Sequence, residues 1–241
     1  MIKRSPSLTD QVKSHIKEQI SANAYEDDRV PAETDLANEL GVSRTTIRDA
    51  LSRLENEGVI LRRQGAGTFI NRPGLQIKSR LDEIWSYEAA LEAHGYLPLT
   101  RLLDVRQEAA TANLASELAL ANGDQILVVK KLFLENQQPV ILAVNLIPRQ
   151  RINKPYSDKD LLAPVFDFLA KFGDQHLSYY LSDIVPTVAA EDVGQALQLP
   201  AGTPLITLEE VGYNEENEPI LKAYSYFRDD LLRLRLIRRK V

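Results

Sequence analysis

The chain is expected to be an α+β protein in two parts, a winged helix-turn-helix followed by an antiparallel-sheet domain. Three observations predict this. Two short helical periods are separated by a glycine turn and followed by a glycine-tipped hairpin, all within residues 31–70. Farther along, a segment of strand and hairpin character repeats itself at an offset of 79. Between them, Asn71-Arg72-Pro73-Gly74 reads as a turn that ends one domain and opens a linker.

Size and charge are compatible with this division. The 241 residues are 44% apolar and 26% charged, the balance of a globular protein. The longest apolar stretch, Pro139 to Ile147, is too short to span a bilayer and contains Asn145. Met1–Pro6 lacks the apolar core of a secretory signal, so a cytoplasmic location and no membrane partner are expected. There is no cysteine, which excludes disulfides, thiol nucleophiles and Cys-ligated zinc. The net charge of −5 is unevenly spread. Residues 1–75 carry 11 Lys+Arg and 11 Asp+Glu, while the remainder carries 18 and 23. Within residues 42–72, six arginines face Asp49, Glu55 and Glu57, a local excess suited to phosphate.

The helices of the first part follow from period and punctuation. Leu8, Val12, Ile16 and Ile20 recur every four residues, which predicts a helix from Leu8 to about Ala22. Asn23 to Val30 is polar and reads as a connection. Pro31 suits the start of a second helix with Leu36, Ala37 and Leu40 inward, and Gly41 ends it. Ser43 can cap a third helix whose apolar face is Ile47, Ala50, Leu51 and Leu54, with Gly58 as its stop. Arg44, Thr45, Arg48 and Ser52 fall on the opposite face. In a helix-turn-helix this is the recognition helix, whose N-terminal residues reach base edges in the major groove. Arginine can contact guanine bidentately, and threonine can reach bases or phosphates. Val59 to Arg63 and Thr68 to Ile70 then form a hairpin around Gln64-Gly65-Ala66-Gly67, the wing.

Val30 to Ile70, "VPAETDLANELGVSRTTIRDALSRLENEGVILRRQGAGTFI", resembles the DNA-binding domain of GntR-type bacterial regulators. The resemblance implies operator contacts at Ser43, Arg44, Thr45, Thr46, Arg48, Gln64 and Gly65. One departure is Thr34, where the family often has arginine early in the second helix. Its loss should alter base preference or affinity without abolishing DNA binding.

In the second part, "SELALANGDQILVVKKLFLENQQPVILA" is similar to "GQALQLPAGTPLITLEEVGYNEENEPILKA". Leu118, Leu120 and Gly123 correspond to Leu197, Leu199 and Gly202, and Pro139 to Pro219 with one extra residue in the second turn. Each copy reads as a short helix, a turn and a strand hairpin. With strands near Leu99–Gln107 and Leu177–Val188 they make one antiparallel sheet, covered by helices at Leu81–His94 and Leu161–Phe172. The C-terminal Arg233-Leu-Arg-Leu-Ile-Arg-Arg-Lys reads as an edge strand with outward charges.

This layout resembles the UTRA-type (chorismate lyase-like) effector domain of the HutC subgroup of GntR regulators. The implied organisation is a winged helix-turn-helix at 1–72, a linker at 73–80 and an effector and dimerisation domain at 81–241. It implies a regulator, a repressor in the family's usual arrangement, that binds a pseudo-palindromic operator as a homodimer and answers to a small-molecule effector. Many such domains hold a sugar phosphate. At the places the family uses for it, this chain has Ser86, Glu88, Lys131 and Pro164, with Phe133 and Leu221 replacing further polar handles. A carboxylate at Glu88 opposes a phosphate dianion at a cost of several kcal/mol. The expected ligand is therefore not a sugar phosphate but an amphipathic compound with an amine, or an aromatic or alkyl body. Trp85, Tyr179, Tyr180, Tyr226 and Phe227 are further lining candidates. In the alternative reading, Lys131 and Glu88 pair with each other and Phe133 is core.

Other chemistry finds little support. His15, His94 and His176 form no metal-spaced cluster, and no cofactor is expected. Glu191-Asp192 and Asp229-Asp230 suit caps and turns better than acid/base pairs. An enzyme on the chorismate lyase-like fold would need a turnover constellation that is not visible. A second domain that only dimerises the DNA-binding heads is the remaining alternative.

Overall fold

The computed structural model describes residues 6–77, 80–228, 231–232 and 234–238. They fall into two units, Met1–Arg80 with Arg235–Val241, and Leu81–Leu234.

In the first unit α1 (Leu8–Ser21) is capped by Ser7, whose Oγ accepts from the Asp10 amide at 3.2 Å, and buries Val12, Ile16 and Ile20. Leu8, expected on the same stripe, is exposed at the first turn. The stretch read as a connection holds the two-residue strand β1 (Arg29–Val30). Then come α2 (Glu33–Leu40), α3 (Arg44–Asn56), β2 (Ile60–Arg63) and β3 (Gly67–Ile70). Gly41 ends α2 at φ +65°, a left-handed conformation that glycine enters without a Cβ penalty. The strands form an antiparallel sheet ordered β1-β3-β2. Ile16, Ile20, Leu36, Ile47, Leu51, Leu54 and Ile60 are buried in one cluster. Each such side chain contributes about 1.5–3 kcal/mol, against about 0–1 kcal/mol for an exposed ion pair. The apolar face therefore holds this unit together, which leaves the surface arginines available for other work.

Asn71-Arg72-Pro73-Gly74 forms a one-turn helix, α4 (Arg72–Leu75), instead of the expected open turn. At the other end of the chain, the expected edge strand is reduced to an isolated parallel bridge between Arg80 and Arg235. Arg233, Arg239 and Lys240 lie outside the described residues.

The second unit contains α5 (Tyr87–Ala93), β4 (Pro98–Ala109), α6 (Ala112–Glu117), β5 (Gln125–Glu135), β6 (Gln138–Pro148), α7 (Val165–Gly173), β7 (Leu177–Val188), α8 (Glu191–Leu197), β8 (Pro204–Asn214) and β9 (Pro219–Phe227). The repeat is larger than its sequence signature. Strands β4 and β7, helices α6 and α8, and strands β5 and β8 all begin 79 residues apart. The antiparallel sheet runs β4-β5-β6-β9-β8-β7, so the two copies meet at the β6–β9 pair and mirror each other outward. Gly123 and Gly202 turn from helix to strand at φ +88° and +80°. The β5–β6 hairpin turns tightly through Asn136 and Gln137, both at positive φ, whereas the second copy takes a longer loop with Asn217 at φ +62°.

Strand alternation decides what each face of the sheet meets. On β5, Leu127, Val129 and Phe133 face α7 and α5, while Ile126, Val128, Leu132 and Leu134 face α6 and α8. Two expected helices are shorter than their apolar patterns. Ser86 caps α5, its Oγ accepting from the Ala89 amide at 3.1 Å, so Leu81–Trp85 remains irregular. The segment expected at Leu161–Phe172 splits at Pro164 into a 3₁₀ turn, Asp160–Leu162, and α7. These helix starts enclose the interior space described below.

Candidate nucleic-acid interface and interior cavity

The recognition helix is positioned by its own start. Ser43 Oγ accepts from the Thr46 amide at 3.1 Å and lies 2.8 Å from the Thr46 hydroxyl. With Ile47, Ala50, Leu51 and Leu54 anchored in the core, Arg44, Thr45 and Arg48 are exposed on the far side. The arginine excess is smaller than its count. Arg53 pairs with Asp10 at 2.7 Å, Arg62 with Glu55 at 3.6 Å and Arg72 with Asp28 at 2.5 Å. Arg48 has only a long contact to Glu33 at 3.4 Å. Arg63 lies over the Phe69 ring at 5.0 Å. Of the six arginines, Arg44 and Arg63 have no acidic partner among the described residues, and Arg48 is held by that long contact alone.

Gln64 and Gly65 are exposed at the wing tip, where Gly65 has φ +75°. Arg29 braces that tip by donating from Nη2 to the Ala66 carbonyl at 3.2 Å. Sequence reasoning passed over Arg29, because a two-residue strand carries no period; its pairing with Phe69 on β3 is what aims it at the turn.

In the second unit, a cavity of about 780 Å³ lies between the α5/α7 face of the sheet and the starts of those two helices. That volume is within the range of metabolite sites. Its floor includes Lys131 and Phe133 from β5, Ala143 and Asn145 from β6, Ala223 from β9, and Leu208 and Glu210 from β8. Leu81–Glu88, Pro164–Phe166, Tyr179 and Tyr180 close the rest.

Its polar groups are partly used by the protein itself. Lys131 is 3% exposed and donates from Nζ to the Ala163 carbonyl at 2.7 Å. Burial lowers its pKa to about 8, and the charge of Glu88 works against that fall. Glu88 Oε1 accepts from the Thr100 hydroxyl at 2.9 Å, while its Oε2 is buried with no partner. The two side chains do not form an ion pair, so that half of the alternative fails; its other half holds, since Phe133 is 2% exposed and packs in the core with Leu91, Val140 and Phe227. Tyr87 donates to Ser225 Oγ at 2.5 Å, and burial pushes its phenol well above the usual value. Glu210 accepts from Ser182 Oγ at 2.5 Å, and burial raises its carboxyl above the ordinary range.

Ser86, Glu88, Lys131 and Phe133 all line this cavity, as do Trp85, Tyr179, Tyr180 and Pro164. The Ser86 hydroxyl is engaged as a helix cap. Tyr226 does not line it. On β9 Ala223 and Ser225 share the cavity face, so Tyr226 turns to the opposite face and packs with Leu197 and Val193 of α8. Phe227 lies in the core beneath α5, with its ring 5.7 Å from that of Tyr87, and Leu221 is buried against α7. Glu210 was not singled out from the sequence, although the offset of 79 that links it to Lys131 was legible there.

Comparison with known proteins agrees with both halves. Residues 8–70 match the model of bacterial regulatory proteins of the gntR family, and residues 93–233, more than half the chain, match the UTRA domain. The chain is 25% identical over 221 residues to the HTH-type transcriptional repressor NagR of Bacillus subtilis, covering 91% of this chain and 90% of that protein. It is 30% identical over 201 residues to the histidine utilization repressor of Pseudomonas aeruginosa, covering 82% and 74%. The crystal structure of the possible transcriptional regulator YydK from Bacillus subtilis superposes with a TM-score of 0.75 at 17% identity, over 96% of this chain and 99% of that one. Regulators, not enzymes, are what these relatives are named as, and no helix among the described residues is long and apolar enough to cross a membrane. A capped recognition helix with exposed arginines, a braced wing and a duplicated sheet over a cavity thus belong to one lineage: the chain is a member of the GntR family of transcriptional regulators, of the HutC type that carries a UTRA domain.

Proposed function

We propose that the protein is an effector-responsive repressor that binds a pseudo-palindromic operator as a homodimer. The 780 Å³ cavity carries this reading, because a recess of that volume with an apolar floor and a few polar groups is what a small metabolite needs. Operator contacts are assigned to Ser43, Arg44, Thr45, Thr46, Arg48, Gln64 and Gly65. Their support is the exposure of Arg44, Thr45, Arg48, Gln64 and Gly65 and the shortage of acidic partners for Arg44. Two half-sites call for two heads. A second copy is supported by β7, an edge strand that exposes Leu181, Ile184 and Val188. The effector is assigned to Ser86, Glu88, Lys131 and Phe133, and it is not a sugar phosphate: Glu88 and Glu210 meet any dianion with like charge. Effector binding shifts the population between two arrangements of the heads in proportion to its differential affinity for them.

The test pairs thermal unfolding with operator retention, across sugar phosphates, amines, and aromatic or aliphatic acids. A ligand at about 100 times its dissociation constant adds roughly 2.7 kcal/mol, a shift of a few degrees. A non-phosphorylated compound that both raises the transition and releases the operator is expected. A sugar phosphate that does both refutes the assignment of Glu88.

A further inference from the structure

The two copies of the repeat build the two sides of the cavity, and they disagree in charge. At the offset of 79, Lys131 of β5 corresponds to Glu210 of β8, and both line the cavity floor. Lys131 has local company: the Ala163 carbonyl at 2.7 Å and the nearby charge of Glu88. Glu210 has only a neutral donor, the Ser182 hydroxyl at 2.5 Å. Among the described residues no lysine, arginine or histidine comes within ion-pair distance of it. Lys131 cannot serve, since β6 and β9 stand between their strands, three strand steps or roughly 14 Å apart at the backbone.

The surroundings of Glu210 suit a cation with an apolar body. Tyr180 on β7 and Tyr87 on α5 line the same cavity, and burial, with the charge of Glu210 second, keeps both phenols protonated. Aromatic faces beside a carboxylate attract organic cations through both charge and ring quadrupole. Leu208 and Ala223 provide apolar floor beside it.

We propose that Glu210 is the anchor of effector recognition and that the effector is an organic cation, an amine or ammonium compound whose aromatic or alkyl body lies along Tyr180, Tyr87 and Leu208. Duplication supplied two equivalent positions; one became a cation that the protein compensates itself, the other an anion left for the ligand. This rests on the cavity being the effector site.

Trp85 is the chain's one tryptophan and lines the cavity, so its fluorescence reads binding directly. The full-length protein is titrated with phenethylamine and hexylamine, with the matching alcohols and carboxylates, and with glucose 6-phosphate. The amines are expected to bind tightest. Glu210→Gln should weaken them about thirtyfold, the scale of a lost charge-assisted hydrogen bond. Glu210→Lys should move the preference toward the carboxylates. Amine binding that survives Glu210→Gln unaltered overturns the proposal, as do alcohols or carboxylates that bind the native protein as well as the amines. In those cases the effector cavity still stands. If no compound of any charge perturbs Trp85 or the unfolding transition, the effector reading falls along with this one.

Discussion

Replacing Lys131 with methionine should make the effector domain more stable, although it removes a hydrogen bond. Lys131 is 3% exposed, and burial brings its pKa from 10.5 to about 8. At pH 7 both folded and unfolded chains carry the proton, and the folded state bears the full penalty of holding the charge away from water. A gap of that size corresponds to about 3 kcal/mol. Against it stands the lost bond from Nζ to Ala163 and a carbonyl left to cavity water, about 1–2 kcal/mol. Methionine conserves volume and flexibility, so the net gain at pH 7 should be about 1–2 kcal/mol. Between pH 8 and 10.5 the unfolded lysine holds a proton that the folded one has released. The contribution of Lys131 to stability therefore rises with pH across that window and is flat below it, and the variant lacks this rise. Urea unfolding followed by Trp85 fluorescence at pH 7 and through pH 8–10.5 measures both quantities. A variant less stable than the native protein at pH 7, or one with the same alkaline rise, would refute the reasoning.

Three further outcomes follow from the geometry. Arg48→Ala should weaken specific operator binding by about 1–3 kcal/mol with unchanged unfolding, and an Arg44/Arg48 double replacement that binds operator normally sinks the recognition-helix assignment. Gly41→Ala and Gly58→Ala should each cost about 1 kcal/mol in thermal melts from positive φ: nothing lies within 4 Å of a Cβ added at 41, and the Ile237 Cδ1 that one at 58 would meet at 2.0 Å is the far end of a flexible side chain that can turn away. Ile184→Lys on β7 should weaken self-association about tenfold or more in sedimentation, and unchanged association would place the dimer contact elsewhere.

The first unit was readable almost residue by residue because its signals are local. Ser43 caps, Gly41 and Gly58 stop, and the four-residue spacing of Val12, Ile16 and Ile20 needs no partner to be recognised. What escaped was β1, which exists only through its pairing with β3. In the second unit the duplication was legible through Gly123 and Gly202. The limits of α5 and α7 were not, since a single hydroxyl at Ser86 and a ring at Pro164 override an apolar pattern that runs past them. The cavity shows the same division. Ser86, Glu88, Lys131 and Phe133 came from the places that the family resemblance implies, whereas Tyr226 was chosen for its residue type alone. Strand parity sent it to the other face. Glu210 required both copies to be superposed, because its meaning is the absence of a partner in three dimensions.

The mirrored sheet also bears on how many copies can assemble. Its outer strands, β4 and β7, are equivalents, so two kinds of edge are available for lengthening the sheet. Joining β7 of one molecule to β7 of another closes after two copies, whereas joining β4 to β7 repeats indefinitely and yields a fibre. The duplication by itself would permit both. The edges have since diverged: β4 is interrupted by a bulge between Leu102 and Asp104, and beyond it Arg106 is ion-paired with both Asp104 and Glu108. β7 has a shift of its own near its start, between Leu177 and Tyr179, and then runs in unbroken register to Val188 with Pro186 inside that run. Bulges and charges of this kind blunt a sheet edge. Were β7 the edge that joins, growth through it would stop at two.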